Sequence, residues 1–331
     1  MRFVLSPEQH QFASALHELL AASDVPGAAR CWAAGEHGRG LAIWRDLAGL
    51  GVTALAVPES AGGLGAHAVD LVVACEELGH HALPGPVAES LAAVPTLLAE
   101  AGEFPDWLGG LADGSLIATV AAPPDVPFAA DADAASLVLL AEAGTLYLGK
   151  PGDPQRSLDE TRRLFPVLGA EVLGTGPPVS RATSRALGLG TLAGSAQLLG
   201  AGRALLEMAV RYAGQRVQFG RRIGQFQAVQ HQLADVAIAL EFARPLLYAA
   251  ALSAGGPAAD RDTSAARVAC AEAAHRATRT ALQVHGAIGY TQEYGLDLWI
   301  TKVRALIPAW GSQSAHRARV LAALTQDGAP R

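Results

Sequence analysis

The chain is poor in charge. Only 17% of its 331 residues are Asp, Glu, Lys or Arg, while half are hydrophobic. Such a composition excludes a disordered chain and supplies ample core for one large domain or two to three small ones. Positive charge is not in excess. A formal net charge of −6 reads against a general nucleic-acid binder. No uninterrupted apolar run approaches the ~20 residues of a membrane span. Cysteine is scarce too. Cys31, Cys75 and Cys270 are odd in number and scattered through helical segments, so they read as reduced core thiols of a cytoplasmic protein. The residues after Met1, Arg2 to Pro7, lack the apolar stretch and small-residue cleavage site of a secretory signal.

Several motifs are incomplete. Pro58 to Gly65 is a glycine-rich loop without the Lys and Ser/Thr of a phosphate loop. Gly188-x-Gly190-x-x-Ala193 matches a degenerate dinucleotide fingerprint, but no strand leads into it. His80-His81 stand together without further ligands at metal-binding spacing, so the expected role is packing or surface, with no metal.

What is present falls into three regions. Residues 1–113 read as helices. Ser6-Pro7-Glu8 starts the first, carrying Phe12, Leu16 and Leu19-Leu20. Leu41 to Leu50 makes a second, ending at Gly51, and Val69 to Leu78 a third, with Gly79 as its stop. A further helix runs from Glu89 to Glu100, after Pro84-Gly85-Pro86. Residues 114–178 read as about five or six short strands, with a turn at Glu142-Ala143-Gly144. Residues 179–331 return to four long helices, near 180–214, 226–254, 263–285 and 311–325. Their alanine-rich faces suit an antiparallel bundle. Helices, strands, helices in that order give an α+β fold.

The stretch from Arg216 to Gln232 joins two of those helices. Gly220 and Gly224 punctuate it, and Arg216, Arg221 and Arg222 present guanidinium groups suited to phosphate. Charge alone favours a solvated basic loop. The wording is more specific. Arg216-x-x-Phe219-Gly220, Ile223-Gly224-x-Phe226-Gln227 and Gln230-x-x-x-Ala234-Asp235 resemble the acyl-CoA dehydrogenase family. So do Gln283-Val284-His285-Gly286-Ala287-Ile288-Gly289-Tyr290-Thr291 with Glu293, and Val57-Pro58-Glu59, Gly62-Gly63-Leu64-Gly65 and Glu76-Glu77-Leu78-Gly79 in the N-terminal half. These blocks span most of the chain in the family's order.

The resemblance implies a fold with an N-terminal helical domain (1–113), a reduced β domain (114–178) and a C-terminal four-helix bundle (179–331). It implies α,β-dehydrogenation of an acyl-CoA thioester, with FAD as hydride acceptor and a glutamate as base. In most members that glutamate precedes a Gly-Thr-x-Gln motif; here Trp310 holds the position, before Gly311-Ser312-Gln313-Ser314. A minority places it on an earlier helix, where this chain has Gly190. Indole accepts no proton. Glu207, Asp235, Glu241 and Asp297 are better read as solvated or paired carboxylates than as a relocated base. The family's Thr-Glu-Pro-x-x-Gly-Ser-Asp-like flavin loop is replaced by Ala118 to Asp125. Residues matching the family's FAD contacts survive better: Arg216, Phe219, Gly220, Gln227, Gln283 and Gly286, with Ala287, Ser312 and Ser314 as substitutes.

Together these features are those of a catalytically incomplete subunit. It would pair with a full-length acyl-CoA dehydrogenase paralogue, share FAD across the interface and pass electrons to an acceptor such as an electron-transfer flavoprotein. Some bacterial enzymes of steroid breakdown are built this way, which implies a bulky acyl-CoA. Two other readings stand: an independently active flavoenzyme with a relocated base, and a flavin-free scaffold or binding protein.

Overall fold

The computed structural model describes residues 4–102, 104–291 and 294–327. Six helices come first: α1 (Pro7–Ala22), α2 (Val25–Ala33), α3 (Gly38–Gly49), α4 (Ala68–His80), α5 (Val94–Ala101) and α6 (Pro105–Ala112). A capping box starts α1: Gln9 N donates to Ser6 Oγ, and Ser6 N to Gln9 Oε1. A π-helical turn, Glu89–Ala93, leads into α5.

The helix α4 does not stop at Gly79. It continues to His80, and Gly79 serves a different purpose. A Cβ there would lie 2.2 Å from the Gln197 carbonyl, and one at Gly200 would lie 1.8 Å from that of Glu76. Two glycines let α4 cross a later helix at backbone distance.

Six strands follow: β1 (Ala118–Ala121), β2 (Ala129–Ala130), β3 (Leu137–Glu142), β4 (Thr145–Pro151), β5 (Leu164–Phe165) and β6 (Val167–Thr175). Four form a sheet in the order β1-β3-β4-β6. β1 runs parallel to β3 and the other pairs are antiparallel, while β2 and β5 pair separately. The turn between β3 and β4 has positive φ at both Ala143 and Gly144, the conformation of a tight hairpin.

The C-terminal part holds α7 (Pro177–Gln215), a hairpin of β7 (Val217–Gln218) and β8 (Arg221–Arg222), α8 (Gln227–Leu252), α9 (Ala259–His285), α10 (Leu296–Leu306) and α11 (Gln313–Asp327). From Gly190 to Gly202 every residue of α7 is buried, because α4, α5, α8, α9 and α10 surround it. Small residues permit this: seven of the thirteen are Gly or Ala. The four long helices expected from the sequence are present. So is α10, which the periodicity reading passed over; it begins at Gly295, in the left-handed conformation, and buries Leu296, Leu298, Val303 and Leu306.

Buried ion pairs tie the strands to the helices. Lys302 of α10 is 3.2 Å from Asp159 and donates to Thr161 Oγ1, while Arg162 pairs with Glu89 at 3.3 Å. These pairs fix the segment between β4 and β5 against both helical parts. Among the described residues no helix is long and apolar enough to cross a membrane.

Candidate active-site region

After α10 the chain turns through Pro308 to Gly311 before entering α11. Trp310 is the centre of this turn. Its φ is 62°, a left-handed conformation costly for a bulky residue, and only 2% of its surface is exposed. Two buried side chains hold it there. Arg267 of α9, fully buried, donates to the carbonyls of Leu306 and Ala309. Burial pushes its guanidinium pKa down to about 10, so it stays charged near neutral pH. His316 of α11 donates from Nε2 to the Trp310 carbonyl at 2.9 Å. Its Nδ1 then accepts from Ser264 Oγ at 3.1 Å. Burial holds His316 below the usual histidine range, in keeping with a neutral ring.

The indole lies against α7. A Cβ added at Gly190 would stand 2.2 Å from the ring, and one at Gly194 would stand 3.1 Å away. Gly311 (φ 96°) donates its N–H to the Asp125 carbonyl, and the Asp125 carboxylate pairs with Arg319 at 2.6 Å. The segment 118–125, expected to stand where the family has its flavin loop, is therefore tied to the Trp310 turn. It closes on itself through paired hydrogen bonds between Ala122 and Val126.

Two adjoining cavities open beside this turn. The larger, about 700 Å³, lies between α4, α5, α7 and the α8–α9 loop, with Val69, Leu71, Thr96, Leu189 and Leu192 in its wall. The smaller, about 170 Å³, is walled by Trp310, Leu187, Thr191, Ser264 and His316. Ser184, Gly188, Asp260 and Thr263 line both. The carboxylates at these cavities are Glu100, Asp125 and Asp260. Glu100 pairs with Arg185 at 2.9 Å and Asp125 with Arg319, while Asp260 is exposed at the start of α9. Glu207, Asp235, Glu241 and Asp297 line neither cavity. Glu207 faces His80 and Arg203, and Glu241 pairs with Arg244.

The residues expected to contact a cofactor fall into two groups. Arg216, Phe219 and Gly220 lie at the α7–β7–β8 corner, and Gln227 opens α8. Phe219 (φ 52°) and Gly220 (φ 77°) form the tip of the hairpin, and Phe219 is 90% exposed. Arg221 lies over the Phe226 ring at 4.0 Å, whereas Arg216 and Arg222 have no carboxylate partner among the described residues. Gln283, Gly286 and Ala287 sit at the C-terminal end of α9, all exposed. Tyr212 of α7 stacks on His285 at 4.4 Å, so both sets share one end of the bundle. Ser312 and Ser314 are elsewhere. They bond each other at 3.0 Å at the start of α11, whose His316 meets Ser264. Ser264 and Gln283 are nineteen residues apart on α9, roughly 28 Å along the helix. The expected cofactor residues therefore do not form one site within one chain. Glu293 lies outside the described residues.

The family comparisons agree with these motifs. Residues 6–104 match the acyl-CoA dehydrogenase N-terminal domain, and residues 168–325 its C-terminal domain. The acyl-CoA dehydrogenase IpdE2 of Mycobacterium tuberculosis is 32% identical over 300 residues, 89% of this chain and 91% of that one. The chain belongs to the acyl-CoA dehydrogenase family. Its fold superposes on butyryl-CoA dehydrogenase from Megasphaera elsdenii with a TM-score of 0.84 at 20% identity, covering 98% of this chain and 100% of the other. It also superposes on a chain of the ChsE4-ChsE5 complex from Mycobacterium tuberculosis with a TM-score of 0.83 at 24% identity, covering 100% of this chain and 100% of that one.

Two features of this acyl-CoA dehydrogenase chain were not legible in advance as functional. Arg267 and His316 position the Trp310 turn. The one hint is that Arg267 falls on the same apolar face as Ala266, Cys270 and Ala274. His80-His81 also need correction. They are not an isolated pair without further ligands, because the fold sets His17 of α1 and Glu77 beside them.

Proposed function

We propose that this chain is a non-catalytic or half-site subunit of a heteromeric, FAD-dependent acyl-CoA dehydrogenase. One observation carries the reading: the residue at the family's glutamate position is an indole, buried over the glycine that fills the alternative position. Neither position supplies a base for the α-proton, and the paired or exposed carboxylates at the cavities are poor substitutes.

The fit to FAD divides the same way. The Trp310 turn and the closed Ala122–Val126 segment do not suit an isoalloxazine ring in this chain's own site. The exposed corner does suit a pyrophosphate. Arg216 is a bidentate donor without a carboxylate partner among the described residues, and Gln283 and Gly286 stand at the same end of the bundle. FAD supplies hydride acceptance when bound. This chain's share would be to hold the cofactor's phosphates for a full-length paralogue that carries the glutamate. Electrons would leave to an acceptor of the electron-transfer flavoprotein kind. Two structural neighbours support the direction: one is a complex of ChsE4 with ChsE5, another a steroid acyl-CoA dehydrogenase variant, Tcur3481-Tcur3483. By that analogy a bulky steroid-type acyl-CoA is the substrate.

The experiment is to co-express the chain with candidate paralogues, purify the complex and measure released flavin against protein. The expected result is about one FAD per pair of unlike subunits. One FAD on every chain, or a yellow protein bleached by acyl-CoA without any partner, overturns the proposal. A second reading, ligand binding without flavin, rests on the 700 Å³ cavity. Persistent absence of flavin with any partner would favour it.

A further inference from the structure

The helices α1 and α4 meet at a cluster that the dehydrogenase reading does not use. His17 Nδ1 lies 3.2 Å from Glu77 Oε2 and 3.2 Å from His81 Nε2. His80 joins them, its ring centroid 5.3 Å from that of His17 and 4.9 Å from that of His81. Ligand atoms of all four residues fall within 4.8 Å of one another.

Protons alone satisfy this arrangement poorly. His17 Nδ1 carries at most one hydrogen and has two close partners. If it donates to Glu77, His81 Nε2 must share that hydrogen or turn its own toward it. If it accepts from His81, it faces Glu77 as one lone pair against another. His80 adds a second deficit. Its Nε2 faces Glu207 Oε2 at 3.0 Å, and its Nδ1 is buried without a partner among the described residues. With Nε2–H donated to the carboxylate, the lone pair is left on Nδ1.

We propose that His17, Glu77, His80 and His81 form a binding site for one divalent transition-metal ion of the zinc class.

The spacing fits. With metal–ligand bonds near 2.0–2.1 Å, tetrahedral ligands stand about 3.3 Å apart, close to the two 3.2 Å separations here. The donor set fits as well. Imidazole with one carboxylate suits zinc, cobalt or nickel better than magnesium or calcium. Glu207 behind His80 is the carboxylate that orients a ligating ring, and Arg203 holds the other Glu77 oxygen at 2.6 Å. Glu76, Glu77, Glu207 and Glu241 face Arg203, Arg244 and Arg211, four carboxylates against three guanidiniums, so the local balance favours a cation. Entry is open. The His17 side chain is 45% exposed, and a cavity of about 540 Å³ lined by His10, His17, Glu77 and Arg203 adjoins the cluster.

The test uses the full chain, stripped with a chelator and desalted. Cobalt(II) chloride is added while visible absorption is followed, and zinc chloride is titrated calorimetrically. The expected result is one ion per chain, an absorption band of tetrahedral cobalt displaced by zinc, and a higher melting temperature with metal. His17→Ala, at a partly exposed position, should melt like the parent without metal and bind at least tenfold more weakly. His81→Gln is the second ligand variant, with its melting followed alongside. His10→Ala, in the cavity but outside the cluster, should bind normally. Absence of stoichiometric uptake by the parent chain overturns the proposal. So does unchanged binding in both ligand variants, or a loss confined to His10→Ala.

Discussion

Trp310 and Gly190 occupy one space from opposite sides: a methyl group on Gly190 would lie 2.2 Å from the Trp310 ring. On the motif resemblance they match the two positions at which the family would place its catalytic glutamate. Here one is an indole and the other a glycine, and the pair packs between α7 and the turn before α11. The size of the side chain at one position is structurally coupled to its size at the other.

That coupling predicts a change of sign. Gly190→Ala in the parent should destabilise by about 1–3 kcal/mol, the usual cost of overpacking. With Trp310 already replaced by Ala, the added methyl meets open space. Gly190→Ala should then stabilise by up to about 1 kcal/mol, as alanine does in a helix interior. Thermal melts of the four proteins complete the cycle. The same sign in both backgrounds would show that the two residues do not share the space.

Trp310→Ala separates structural from catalytic roles. Emptying the site should cost about 3–5 kcal/mol of stability. On the proposed half-site reading, the turnover of the complex should stay near that of the parent, since the working glutamate would belong to the partner. Trp310→Glu should create no activity in this chain. A large fall in steady-state turnover for Trp310→Ala, with melting and flavin content unchanged, would place Trp310 in a working site.

Arg216 is exposed, and on the proposed reading it meets the FAD pyrophosphate. A charge-assisted hydrogen bond contributes roughly 1.5–3 kcal/mol, so Arg216→Ala should weaken FAD retention by the complex about 10- to 150-fold. Arg216→Lys should recover only part of this, because the bidentate fork is gone. Flavin content equal to the parent after dialysis of the Arg216→Ala complex would reduce the residue to a surface charge.

Asp131 predicts a dependence on pH. It is fully buried, at φ 49°, and accepts from Trp32 Nε1 at 3.2 Å and from the Arg163 N–H at 2.9 Å. Its second oxygen has no partner among the described residues, and burial pushes its pKa up from 3.8 to about 6. A raised folded-state value favours the protonated form. This contribution to stability is therefore complete below 3.8 and is lost as pH rises through about 6. The effect is on the order of 3 kcal/mol. Asp131→Asn should flatten the decline. The check is melting temperature against pH for both proteins; parallel profiles would show that Asp131 does not titrate in this window.

The sequence by itself determined the order of the three regions (helices, strands, helices) and the family. Periodic apolar residues place the long helices, Ser6-Pro7-Glu8 starts the first, and Glu142-Ala143-Gly144 marks the β3–β4 turn, because these signals act over a few residues. The substitutions at Gly190 and Trp310 are legible one by one for the same reason. Gly79 shows where local rules stop. Read locally it ends a helix, yet the nearness of Gln197 makes it a crossing point inside one. The tertiary structure alone decided that Gly190 and Trp310 touch, 120 positions apart. It also brought Arg267 to the carbonyls after α10, and set His17 against His81 across 64 positions. It separated Ser312 and Ser314 from the Arg216 corner, although sequence motifs group them together. Contacts of this kind depend on how helices cross, and crossing is set by packing over the whole core, which no local spacing encodes.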